Sequence, residues 1–86
     1  MIFKPQGELT REFCMQQIEL ARTAVVQGAR QIDLSDVVRV DSTAIAFWLD
    51  MRRWSADRKI DLSLINAPDQ LLSIAELVGV ESLIAS

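Results

Sequence analysis

Apolar residues recur at two spacings along this chain, and each change of spacing marks an element. Ile2 to Gln6 reads as a short strand, with Pro5, which has no N–H, suited to an edge or a strand end. Gly7-Glu8-Leu9-Thr10 then turns the chain, and Thr10 is the expected N-cap of a helix with Phe13 at its third position. Cys14, Ile18, Ala21 and Val25 recur at helical spacing, with Phe13, Leu20 and Ala24 beside them, so this helix runs to about Val26 and stops at Gly28. Gln31-Ile32-Asp33-Leu34 alternates like a strand, and Val37-Val38-Arg39-Val40 continues the extended path after Ser35-Asp36. A second helix covers about 42–58 and a strand 60–65. Asn66-Ala67-Pro68-Asp69 opens a third helix, where proline is tolerated because a first-turn N–H has no partner within the helix. Leu71, Ile74, Ala75 and Val78 form its stripe, Gly79 ends it, and Leu83 and Ile84 suggest one last helical turn between Glu81 and Ala85.

Strands alternating with helices imply an α/β sandwich: a small mixed or parallel sheet packed with about three to four helices, its parallel strands joined by right-handed crossovers. With 86 residues there is room for one domain spanning 1–86, with a core adequate but not generous.

The second helix carries more apolar surface than one face needs. Stepping 100° per residue gathers Ala44, Ile45, Trp48, Leu49 and Met51 into one arc, the expected buried face. Thr43, Phe47, Asp50 and Trp54 fall together on another. Two aromatics there either lie against a neighbouring helix or loop, or anchor a partner. Arg52, Arg53, Arg58 and Lys59 complement the helix dipole near its C-terminus, with an acidic partner or anionic lipid the other reading.

Composition narrows the chemistry. With no histidine, no tyrosine and one cysteine, the chain lacks the ligands of histidine or cysteine-rich metal sites and the pairs of nucleophilic catalysis. Its 12 acidic residues sit mostly at element ends and on polar faces, where solvated or capping roles are the default. No catalytic residue, metal site or cofactor is therefore expected. A net charge of -3 argues against nucleic acid as a partner. Apolar runs stop well short of the roughly 20 residues that cross a bilayer, and the first residues lack the apolar stretch of a signal peptide, so a cytoplasmic protein without a membrane span is expected. Cys14, on an apolar stripe, is expected to be a reduced core thiol.

The remaining candidate chemistry lies at the start of the second helix. Asp41-Ser42-Thr43 puts hydroxyls where unpaired N–H groups and the positive dipole end favour a negative group, although Asp41 or Ser42 acting as an ordinary cap explains the same residues.

The run Ile32-Asp33-Leu34-Ser35-Asp36-Val37 followed by Val40-Asp41-Ser42-Thr43-Ala44-Ile45-Ala46 resembles the signature of STAS domains. Gly7-Glu8-Leu9-Thr10 is similar to the family's early glycine turn, and Asn66 to Val80 with Leu83 to its closing helix, so the resemblance covers essentially the whole chain. Within the family it is most similar to the MlaB-like branch, the small cytoplasmic subunits of Mla-type phospholipid ABC transporters. That resemblance implies a non-enzymatic subunit, peripheral to the inner membrane, that binds the transporter's ATPase subunit and helps maintain outer-membrane lipid asymmetry. The alternative is an anti-sigma factor antagonist, switched by an anti-sigma factor kinase. Either way, Ser42 or Thr43 is the implied phosphoacceptor or switch, and Asp41, Ser42, Thr43, Phe47, Asp50 and Trp54 the implied contact. Two departures are Ala44, where many relatives have glycine, and a short segment before Gly7, which implies a shortened sheet with an exposed edge.

Overall fold

The computed structural model describes residues 2–80. Its elements are β1 (Ile2–Phe3), β2 (Gly7–Leu9), α1 (Cys14–Val26), β3 (Gln31–Asp33), β4 (Val37–Val40), α2 (Thr43–Asp57), β5 (Ser63–Ile65) and α3 (Asp69–Leu77). The last helical turn expected around Leu83 and Ile84 lies outside the described residues.

Among the described residues every strand pairing is parallel, the second of the two sheet types the sequence left open. One sheet has the order β1-β3-β5 and the other pairs β2 with β4. The two are halves of one track: β1 then β2 runs beside β3 then β4, with Ile2 opposite Gln31 and Leu9 opposite Val40. The central strand β3 is buried at both Ile32 and Asp33, whose side chains point to opposite faces, as expected of a strand covered on both sides; Leu64 of the edge strand β5 is buried beside it.

Local chemistry accounts for three departures from the expected boundaries. Gly7 does not turn the chain; at φ +85 it permits a register shift inside an extended path that continues to Leu9. The turn falls later, where the Phe13 N–H donates to the Thr10 carbonyl at 3.0 Å. Thr10 therefore does not cap α1, and Phe13 occupies the N-cap position. Between β3 and β4 the path breaks: the Asp33 carboxylate accepts the Ser35 N–H at 2.9 Å, and Val37 N–H donates to the Leu34 carbonyl at 3.1 Å.

The third departure is at β5, which begins at Ser63 and not at Ile60. Ile60 still belongs to the end of α2, because its N–H donates to the Ser55 carbonyl and that of Lys59 to Ala56. This pair of bonds is a Schellman termination, and it recurs at Gly28 and Ala29 after α1 and at Gly79 and Val80 after α3. The residue that must turn left-handed is glycine after α1 and α3 but Lys59, at φ 59, after α2. A β-carbon there carries steric strain that the glycines avoid.

α2 is the central element of the core. Ala44, Ile45, Phe47, Trp48 and Met51 all join the buried cluster, which α1 completes with Ala21 and Val25 and α3 with Leu71 and Ala75. α2 packs against α1, α3 and β2, so its buried arc is wider than a single-sided helix would show. Two expectations change as a result. Leu49, expected inside, is 37% exposed, and Phe47, expected on a partner-binding face, is 1% exposed. α1 lies over the Phe47 side of α2, where Arg22 reaches across to Asp50 and Trp54.

Candidate functional site

β4 delivers the chain to α2 through Asp41, whose side chain builds the helix start. Its Oδ1 accepts the Thr43 N–H at 2.8 Å and its Oδ2 accepts the Arg11 N–H at 3.1 Å. One carboxylate thus holds two backbone donors, one in α2 and one in the turn before α1. Partial burial works to raise the Asp41 pKa, but the two N–H groups, the Thr43 hydroxyl and nearby Arg39 outweigh it and hold the carboxyl below its ordinary value. Asp41 is therefore the cap in substance, and it stays ionised.

That arrangement leaves Ser42 unengaged. At φ -60 and ψ -20 it already follows the helical path, makes no side-chain capping bond and is exposed. Thr43 beside it is half-buried. Next to this end lies a cavity of about 300 Å³ where Arg11, Arg39, Glu8, Glu12 and Asp41 meet, a mixed-charge surface with no single sign.

Further along α2, the exposed stripe in line with Ser42 consists of Ala46, Leu49 and Arg53, at offsets of four, seven and eleven residues. It is the outward face of the helix. The six residues proposed from sequence divide accordingly. Asp41, Ser42 and Thr43 form one end; Phe47 is core; Asp50 and Trp54 sit in the cleft between α1 and α2, half-buried. Sequence reasoning placed Leu49 on the buried arc and Arg53 among the basic residues near the helix C-terminus, and so did not join them with Ala46 into this stripe. Anchoring the helical wheel on Ser42 instead of Ile45 would have collected them.

The cleft holds a charged network in which the buried Arg22 Nε has no hydrogen-bond partner. Arg22 Nη2 donates to Asp50 Oδ2 at 2.8 Å, and the Arg22 and Arg58 guanidiniums lie 5.5 and 4.2 Å from the Trp54 ring centroid. Stacked cations of this kind typically contribute about 0.5–1 kcal/mol at exposed positions. Trp54 also packs on the core.

Two other groups have structural roles. Cys14 is half-buried, and burial, with Asp50 and Asp41 nearby, raises its thiol pKa, which favours the protonated thiol over the nucleophilic thiolate. Asp33 is 7% exposed and joins three segments: Oδ1 accepts from the Ser35 N–H and from Asn66 Nδ2 at 3.1 Å, and Lys4 Nζ lies 4.0 Å from Oδ2. The Ser35 amide is the main cause that holds its pKa below the ordinary value, against a smaller opposing effect of burial. Asn66 adopts φ 56 to reach it.

Among the described residues no three His, Cys, Asp or Glu side chains are grouped to hold a metal ion, and no helix is long and apolar enough to cross a membrane. The arrangement offers a polar helix terminus and an outward stripe. A family model described as the MlaB STAS domain matches residues 4–85. No protein of curated function matches the chain in sequence.

Proposed function

The chain belongs to the STAS domain family, in its MlaB-like branch, and from that premise we propose that it is the small cytoplasmic subunit of an Mla-type phospholipid ABC transporter. STAS domains are protein-interaction modules and generally non-catalytic. In this reading the chain binds the transporter's ATPase subunit, stabilising or regulating it, and so contributes to outer-membrane lipid asymmetry while remaining peripheral to the inner membrane. The observation that carries the proposal is the outward stripe of α2 headed by Ser42, whose hydroxyl is free because Asp41 caps the helix in its place. Small Ala46 allows close approach, Leu49 offers apolar area at the centre of the stripe, and Arg53 gives it a charged end.

A tagged chain co-expressed with the ATPase subunit of an Mla-type transporter should copurify with that ATPase. Leu49→Asp should abolish copurification while leaving the circular dichroism spectrum and melting temperature of the chain near those of the parent. Retention of full binding by that variant would exclude the α2 stripe as the contact.

The exposed Ser42 hydroxyl equally suits the phosphoacceptor of an anti-sigma factor antagonist. Phosphorylation of Ser42 by a co-encoded anti-sigma factor kinase, with no copurifying ATPase, would favour that second reading.

A further inference from the structure

The far end of α2 holds the densest run of positive charge in the chain. Residues 52–59 carry Arg52, Arg53, Arg58 and Lys59 against a single acid, Asp57, although the chain as a whole has a net charge of -3. Among the described residues none of these four cations lies in an ion pair; the ion pairs are Lys4 with Asp33 and Arg22 with Asp50. Acids outnumber bases by 12 to 9, so counterions are not scarce. The helix dipole explains only part of the run, because its pull is confined to the last turn, which contains no basic side chain. Arg58, the C-cap residue, can serve the dipole, whereas Arg52 and Arg53 come before that turn.

Trp54 organises part of this charge. The guanidiniums of Arg22, from α1, and Arg58 lie 5.5 and 4.2 Å from its ring centroid, and Arg58 Nη1 also donates to the Trp54 carbonyl at 3.2 Å. Asp50 holds Arg22 from another side at 2.8 Å. The cleft between the helices, of about 260 Å³, is lined by Arg22 and Arg53 with Trp54, Asp50 and Asp57. Three guanidiniums thus gather about one indole, two of them stacked. Stacking fixes the plane of a guanidinium while its N–H edge stays available, the state in which arginine meets a carboxylate with two parallel bonds and little loss of entropy.

We propose that this end of α2 receives an acidic segment of a partner protein, whose Asp or Glu carboxylates pair with Arg53 and Arg58 beside the Trp54 ring. Charge selects the occupant: guanidiniums without counterions call for carboxylates, and Asp50 and Asp57, set among them, suit separate acidic side chains better than a continuous anionic sheet. A lipid surface would also need exposed apolar side chains to enter it, and the run 52–59 fully exposes none except Ala56. Arg53 also closes the outward stripe of α2, so the inference rests on the reading of that helix as the contact and adds the chemistry met at its far end.

The test uses the whole chain, 15N-labelled, titrated at low ionic strength with the capped peptide Ac-Ala-Glu-Glu-Ala-Glu-Glu-Ala-NH2 and followed by NMR. Saturable shifts are expected at the Trp54 indole N–H and the amides of Arg53 and Arg58, and added salt should weaken them. The same peptide with glutamine for glutamate should bind about tenfold more weakly. Arg58→Glu, at an exposed position outside the stripe, should weaken binding about tenfold with the melting temperature of the chain unchanged. Arg11→Glu, which alters net charge equally at the other end of α2, should have little effect. Absence of saturable shifts, equal binding of the glutamine peptide, or an equal loss from Arg11→Glu would overturn the proposal. So would cosedimentation of the chain with phosphatidylglycerol vesicles that Arg58→Glu abolishes, because the occupant would then be a membrane. No ATPase enters the titration, so it and the Leu49→Asp copurification can fail separately.

Discussion

Phe47→Ala tests the position of α2 most directly. Phe47 is 1% exposed and belongs to the cluster that joins α1, α2 and α3 to the strands. Truncation removes its transfer free energy and leaves a cavity that a helix held on several sides cannot readily close, at a cost of about 3–5 kcal/mol. A domain of 86 residues has a total stability of roughly 4–13 kcal/mol, so the variant keeps at best part of it. With a urea m-value of roughly 1–1.5 kcal/mol/M for so short a chain, the unfolding midpoint should fall by about 2 to 5 M. Phe47→Leu should cost about 1 kcal/mol, the range of a modest core repacking. Equilibrium urea unfolding followed by tryptophan fluorescence provides the measurement, Trp48 being buried in the same cluster. A Phe47→Ala midpoint within about 0.5 M of the parent, together with lost partner binding, would refute the reasoning and return Phe47 to the surface.

The other predictions concern the ends of α2 and its outer face. Lys59→Gly should stabilise the fold by up to about 1 kcal/mol by relieving the left-handed lysine, whereas Lys59→Val should destabilise it; thermal melting distinguishes them. Asp41→Ala should cost about 1 kcal/mol through the lost cap, and Ser42→Ala almost nothing, as measured by chemical denaturation. Because the folded Asp41 pKa lies below its unfolded value, its ionic contribution is fully present above about pH 4 and lost as the pH falls through the folded value. The stability difference between the parent and Asp41→Asn should therefore shrink on acidification toward pH 2; a difference that grows would contradict the assignment. Ser42→Glu should fold normally and lose partner affinity at least tenfold in a calorimetric titration, since its charge would be desolvated in the contact.

Features set by neighbours in sequence were legible. Gly28 and Gly79 end their helices, Pro68 precedes α3, and α2 starts within a residue of its expected position, because each depends on backbone preferences a few residues wide. Features set by distant partners were not. The burial of Phe47 depends on α1 lying across α2, and Asp33 finds Asn66 on the far side of both α2 and β5 in sequence. Gly7 carries an ambiguous signal, since the positive φ of a turn is also that of a shift within a strand. Lys59 carried almost none: lysine is uncommon at a left-handed helix end, so the extra turn after α2, and with it the late start of β5, went unread. At the candidate site, the helix start at Asp41, Ser42 and Thr43 was legible, but the exposed face in line with Ser42 was not, because the burial of Phe47 and the exposure of Leu49 depend on where α1 lies.

The order β1-β3-β5, with every pairing parallel, bears on how the chain acquires its shape in time. Neighbouring strands in space are separated in sequence by a whole helix, so among the described residues no hairpin is available as a fast local seed. A chain emerging from the ribosome as far as Val40 can pair β1 with β3 but leaves the other edge of β3 bare until Ser63–Ile65 arrives. During that interval α2, which brings the largest share of any single element to the buried core, has only part of its cover. Folding should accordingly be slow for a domain of this size, and the half-made chain, with β3 open on one side, is the species most prone to aggregate.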